Sequence, residues 1–176
     1  MNTGELLLGL VIFVPLFGAL LTAIPGAAAR SNDGDGTGPG TGTGPGTGSP
    51  GGNARGIVGG LTAAVTMAAS LALAVHVGTS GDAAILAPGG WGEPLGLRWI
   101  ADGLGVTFVA LTGIVGAAVS AVAVTMPAAT GVDGKPAPAF CPLWLDCSAG
   151  LNTVHVSGDF FNIYVGVGLA GLNGVG

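Results

Sequence analysis

The sequence predicts an all-α membrane protein, with about four transmembrane helices and a truncated fifth. Three observations predict it. Of 176 residues, 49% are hydrophobic and only 7% charged, for a mean hydropathy of +0.75. A water-facing surface needs far more charge, since soluble domains carry about a quarter charged residues. Uncharged apolar runs recur along the chain, long enough to cross a hydrocarbon core of about 30 Å. The 36 glycines fall partly in a polar linker and partly inside those runs, where small residues let helices approach closely. The same composition excludes a soluble globular enzyme. It also excludes a nucleic-acid binder, because four Lys and Arg in all cannot track a phosphate backbone.

Residues 1–29 hold the first span. Leu6 to Ile24 is a run of 19 residues without a charge. Pro15 in its middle predicts a kink, tolerated where neighbouring helices satisfy the freed carbonyl. A secretory signal peptide is the competing reading, with Ala27-Ala28-Ala29 as a small-residue cleavage site. The segment ahead of the run carries Glu5 and no Lys or Arg, and the apolar core exceeds a typical signal length, so the span is favoured. Residues 30–55 read as a flexible, solvated Gly/Thr/Pro-rich loop. Their stretch from Gly36 to Gly48 has no apolar side chain to bury and cannot offset its ordering entropy.

Residues 56–78 form the second span, with His76 near one end as its only ionisable group, suited to the membrane interface. Residues 79–102 make a polar connection in which Trp91 and Trp99 suit the headgroup level. The third span, 103–126, is again uncharged, and Asp102 just before it reads as an N-cap accepting orphan amide hydrogens. Residues 127–139 form a loop holding Lys135. A fourth helix covers 140–157, interrupted by Asp146 and His155, and a fifth begins within 158–176. That last segment lies at the short limit for a span and reads as truncated. Arg30, Arg55 and Lys135 in the first and third loops outweigh Arg98 in the second. This puts those two loops in the cytoplasm and the N-terminus outside an inner or plasma membrane.

Chemistry must then come from ionisable groups at membrane depth. The sequence holds no Gly-x-Ser-x-Gly, no phosphate loop, no His-Glu-x-x-His and no paired carboxylates within a turn. Cys141 and Cys147, about 9 Å apart along a helix, make neither a relaxed disulfide nor a metal site. No cofactor is called for. A carboxylate in hydrocarbon costs at least about 2.5–3.5 kcal/mol, so Asp146 must face protein, water or an ion path, or be protonated. His155 lies four residues before Asp159, and the two meet if helix continues through Gly158. Asp146, His155 and Asp159 are therefore the candidates for a proton or cation relay. The plainer readings are a hydrogen-bonded buried carboxyl for Asp146 and the N-cap of the fifth helix for Asp159.

Ala149-Gly150-Leu151-Asn152, followed by Ser157-Gly158-Asp159-Phe160-Phe161-Asn162-Ile163-Tyr164-Val165, resembles the signature of the antiporter-like proton-translocating membrane subunits. That family includes the D component of multisubunit cation/proton antiporters and the pumping subunits of NADH–quinone oxidoreductase. Gly89-Gly90-Trp91 and Ala101-Asp102-Gly103-Leu104, ahead of an apolar helix, are similar to the antiporter D branch of that family. The resemblance implies a much larger bundle in which buried Glu and Lys residues, joined by water, move protons or sodium. It implies no redox cofactor in this subunit, and activity only beside other membrane subunits of a complex. It also places the family's fifth-helix glutamate at Gly168, where this chain has no carboxylate, and the partner lysine on a later helix. Three functions stay open: an antiporter subunit, a proton-pumping oxidoreductase subunit, and a non-transporting structural fragment.

Overall fold

The computed structural model describes residues 2–32, 50–87, 98–126 and 140–172. Five helices and one small hairpin account for nearly all of them. The order is α1 (Thr3–Asn32), α2 (Pro50–Ser80), β1 (Ala84–Leu86), β2 (Trp99–Ala101), α3 (Gly103–Thr125), α4 (Phe140–His155) and α5 (Phe160–Leu172). Three helices are long and apolar enough to cross a membrane, over Thr3–Ala23, Gly56–Ser80 and Gly103–Thr125. Helix α4 has 16 residues. At the usual rise it extends about 24 Å.

Local chemistry explains where the helices begin. The Glu5 carboxylate accepts from the Asn2 backbone N–H at 3.0 Å, half of a capping box at the start of α1. Asp102 has extended backbone angles, and its Oδ1 accepts from the Gly105 N–H at 2.7 Å, the N-cap expected for α3. Helices α1 and α2 reach further than the sequence suggested. Residues 30–32 and 50–55, expected in the linker, are helical, while the remainder of that linker, 33–49, lies outside the described residues. Trp91 and the loop carrying Lys135 also lie outside them.

The polar connection after α2 contains structure that its composition concealed. Ala84-Ile85-Leu86 pairs antiparallel with Trp99-Ile100-Ala101, with Ile85 opposite Ile100. Strand β2 is held on its other edge by the corner between α4 and α5. There the Ile100 N–H donates to the Val156 carbonyl at 2.7 Å, and the Gly158 N–H to the Arg98 carbonyl at 3.2 Å. Trp99, expected at the headgroup level, is instead a core residue at 8% exposure, set edge-on to Phe13 with ring centres 5.9 Å apart. It joins Leu8, Val11, Leu73, Val109 and Val156 in an apolar cluster at the hairpin end of the bundle, where its Nε1–H is buried without a protein acceptor.

Helix α1 packs on α2 and α4, α2 on α3, and α5 chiefly on α4. At the α4–α5 crossing the two backbones approach closely. A Cβ on Gly150 would stand 2.7 Å from the Gly166 carbonyl oxygen, and one on Gly166 would stand 2.9 Å from that of Gly150. Each glycine lets the other's backbone in, the arrangement small residues permit between membrane helices.

Candidate functional site

Pro15 is buried in the middle of α1, and it lacks the N–H that would bond the carbonyl four residues earlier. That carbonyl belongs to Val11. The Asn152 side chain, reaching from α4, donates Nδ2–H to the Val11 oxygen at 3.1 Å. The break that Pro15 makes in α1 is thus closed by a side chain from another helix, as a proline inside a membrane span requires. Asn152 is 1% exposed, and its Oδ1 is buried with no protein donor.

Around Asn152 the four helices α1 to α4 leave a small cavity. Pro15, Thr66, Thr112, Gly116, Ser148 and Asn152 are among its walls, with about 10 Å³ available to the centre of a water molecule. Two of its hydroxyls are committed to their own helices. Thr66 Oγ1–H donates to the Thr62 carbonyl at 2.9 Å, and Ser148 Oγ–H to that of Trp144 at 2.9 Å. Such i−4 bonds let a hydroxyl lie in an apolar bundle at little cost, and leave its lone pairs facing outward. Thr112 Oγ1 lies 3.5 Å from His155 Nδ1, so the polar row continues from the cavity to the end of α4.

The three residues singled out in the sequence stand in three different surroundings. His155 closes α4 and stacks on Phe108 of α3, ring centres 5.4 Å apart. Helix does not continue through Gly158, so the geometry that would have joined His155 to Asp159 is not formed. The chain turns instead, with Ser157 Oγ–H donating to the Asp159 carbonyl at 2.7 Å. A Cβ on Gly158 would come 2.9 Å from Ile100 Cδ1 and 3.3 Å from the Arg98 carbonyl oxygen, so this turn lies close against β2. Asp159 Oδ1 accepts from the Phe161 N–H at 3.4 Å, at the start of α5. Asn162, one turn on, donates to the Arg98 carbonyl at 3.2 Å and ties α5 to the hairpin.

Asp146 lies nine residues before His155, half a turn around the helix. It is half-buried beside an open recess of about 380 Å³ between α1 and α4, walled by Leu16, Phe17, Leu20 and Leu143. His76, at the end of α2, is half-buried with its ring against Gly4 at the start of α1. Gly168 faces away from α1–α4: a Cβ there would meet nothing within 4 Å. Sequence reasoning passed over Asn152, Thr66 and Thr112 because neutral side chains carry no charge to flag them. The available signal was Pro15, whose freed carbonyl demands a donor from a neighbouring span.

No family model and no curated protein matches the chain. Among solved structures it is similar to a chain of the membrane-bound sulfane sulfur reductase, an archaeal respiratory membrane complex. The TM-score is 0.70 at 16% sequence identity, covering 94% of this chain and 28% of that one. At this identity the likeness is one of fold: the chain is an all-α membrane protein whose helices are arranged as in part of a respiratory membrane complex.

Proposed function

We propose that this chain is the N-terminal part of an antiporter-like, ion-translocating membrane subunit, working inside a multisubunit complex of an inner or plasma membrane. The observation that carries this reading is the fold likeness along nearly the whole chain to part of a respiratory membrane complex. The string from Ser157 to Asn162, which resembles the family signature, supports it further because it builds the α4–α5 corner. The first assignment is the D component of a multisubunit cation/proton antiporter, on the residues Ala101-Asp102-Gly103-Leu104, which are similar to that branch. A proton-pumping subunit of NADH–quinone oxidoreductase is the second reading, favoured by the respiratory nature of the structural neighbour.

In this reading the N-terminus and the hairpin end lie outside, and segments 33–49 and 127–139 lie in the cytoplasm. Asp146, His155 and Asp159 are the groups that handle protons or cations, and a helix beyond this chain supplies the counter-charge. With Gly at position 168 the chain alone lacks the family's central carboxylate. Proteoliposomes holding only this chain therefore show no proton flux above empty vesicles.

Affinity purification of the tagged chain from its native membranes in mild detergent tests the assignment. Small hydrophobic membrane companions without redox groups support the antiporter. Companions carrying flavin and iron–sulfur clusters support the oxidoreductase subunit. Recovery of the chain alone, folded and monodisperse, overturns both.

A further inference from the structure

The cavity at the Pro15 break is lined mainly by acceptors, and none of its donors reaches Asn152 Oδ1. Asn152 Nδ2 is used on Val11, which fixes the amide's orientation and leaves only lone pairs on Oδ1. The Thr66 and Ser148 hydroxyl protons point to carbonyls of their own helices, so these oxygens also present lone pairs. A buried acceptor without a donor has given up its hydration with nothing in return. The space left, about 10 Å³ for the centre of a water molecule, is close to the minimum one water needs.

We infer that this cavity is a binding site for one water molecule, which donates to Asn152 Oδ1 and to a hydroxyl of Thr66 or Ser148. Thr112 completes the site. Of the three hydroxyls it alone has no bond to a carbonyl of its own helix, and its partner is His155 Nδ1 at 3.5 Å. In the Nδ1-protonated tautomer, His155 donates to Thr112, and the Thr112 hydroxyl donates to the water oxygen. The water then has three protein partners, the usual number for a buried water. It joins Val11, Asn152, Thr112 and His155 into one hydrogen-bonded row crossing from α1 through α4 to α3. Asn152 is the positioning residue of the row, since one amide both repairs α1 and holds the water.

X-ray radiolytic hydroxylation of the full chain in nanodiscs, read by mass spectrometry, tests the site, because radicals born at a bound water label the side chains beside it. Leu145 and Pro15 line the cavity. Leu8 and Leu73 are at least as buried, at 0% against 2% for Leu145, but belong to the apolar cluster and not to the cavity walls. The expected result is labelling of Leu145 and Pro15 several-fold above that of Leu8 and Leu73. Gly116→Ala supplies the control, since its new Cβ would meet only Ser148 Oγ at 3.9 Å and so enters the cavity without a clash. That variant should stay folded and lose the excess labelling. Equal labelling of all four side chains overturns the inference, as does excess that survives Gly116→Ala. Labelling that disappears when sodium chloride replaces choline chloride also overturns it, because the occupant is then a cation.

Discussion

Helices α1 and α5 are nearly alike in composition, apolar and almost without charge, yet the protein treats them in opposite ways. Helix α1 meets α2, α4 and β1, and Leu8 and Val11 are completely buried. Among the described side chains of α5 only Asn162 and Gly166 are buried, while Phe160 and Tyr164 are 88% and 76% exposed. In water, so much exposed aromatic surface would mark an interface. In a bilayer, lipid solvates it as well as protein does, and what selects a helix neighbour is close backbone approach and polar pairing. Helix α1 has such pairing at Val11 and Asn152; the inner face of α5 has close approach at Gly166; the outer face of α5 has neither.

The sharpest way to break this contrast is at the α4–α5 crossing. Gly150→Val forces a branched side chain onto the Gly166 carbonyl and the Ala170 N–H, at positions where even a Cβ would stand 2.7 and 2.9 Å away. Backbone cannot yield as a side-chain tip does. The expected loss is at the top of the overpacking range, about 3 kcal/mol, in detergent-titrated unfolding. A cysteine pair bridging α4 and α5 should stop cross-linking, while one bridging α1 and α2 continues to do so.

The next effect lies at the Pro15 break. Asn152→Leu removes the donor to the Val11 carbonyl, an expected loss of about 1–3 kcal/mol. Pro15→Ala restores an N–H within α1, so the same Asn152→Leu change made in that background should be markedly milder. A double-mutant cycle in unfolding free energy measures this coupling. Additive effects would show that the Asn152 bond to Val11 has no energetic link to the proline.

Much of this fold was legible in the sequence, and the illegible parts share a physical cause. Uninterrupted apolar runs place the helices, and Asp102 marks the start of α3, because local chemistry suffices for both. The hairpin could not be read, since its two strands are three residues each and acquire meaning only when Val156 and Gly158 bond to β2. Trp99 looked like an interfacial anchor for the same reason: its burial depends on Phe13, far away in sequence. Asp146 and His155 drew notice by their charge and turn out on opposite sides of α4. Asn152 carries no charge, and its importance follows only from the proline it faces.

The smallest expected effect tests the outer face of α5. Gly168 is two residues beyond Gly166 on the same helix, and the two glycines look interchangeable in sequence. In space they are not. A Cβ on Gly166 would stand 2.7 Å from Val154 Cγ2 and 2.9 Å from the Gly150 oxygen, whereas one on Gly168 would meet nothing within 4 Å. With no neighbour to displace, Gly168→Ala should shift the unfolding free energy of this chain by no more than about 0.5 kcal/mol, the range of surface changes. Its sign should favour the folded chain, since alanine restricts the backbone that glycine leaves loose. Detergent-titrated unfolding beside Gly166→Ala makes the comparison within one helix. A loss at position 168 as large as that at 166 would mean a second close helix contact, and the difference between the two faces of α5 would collapse.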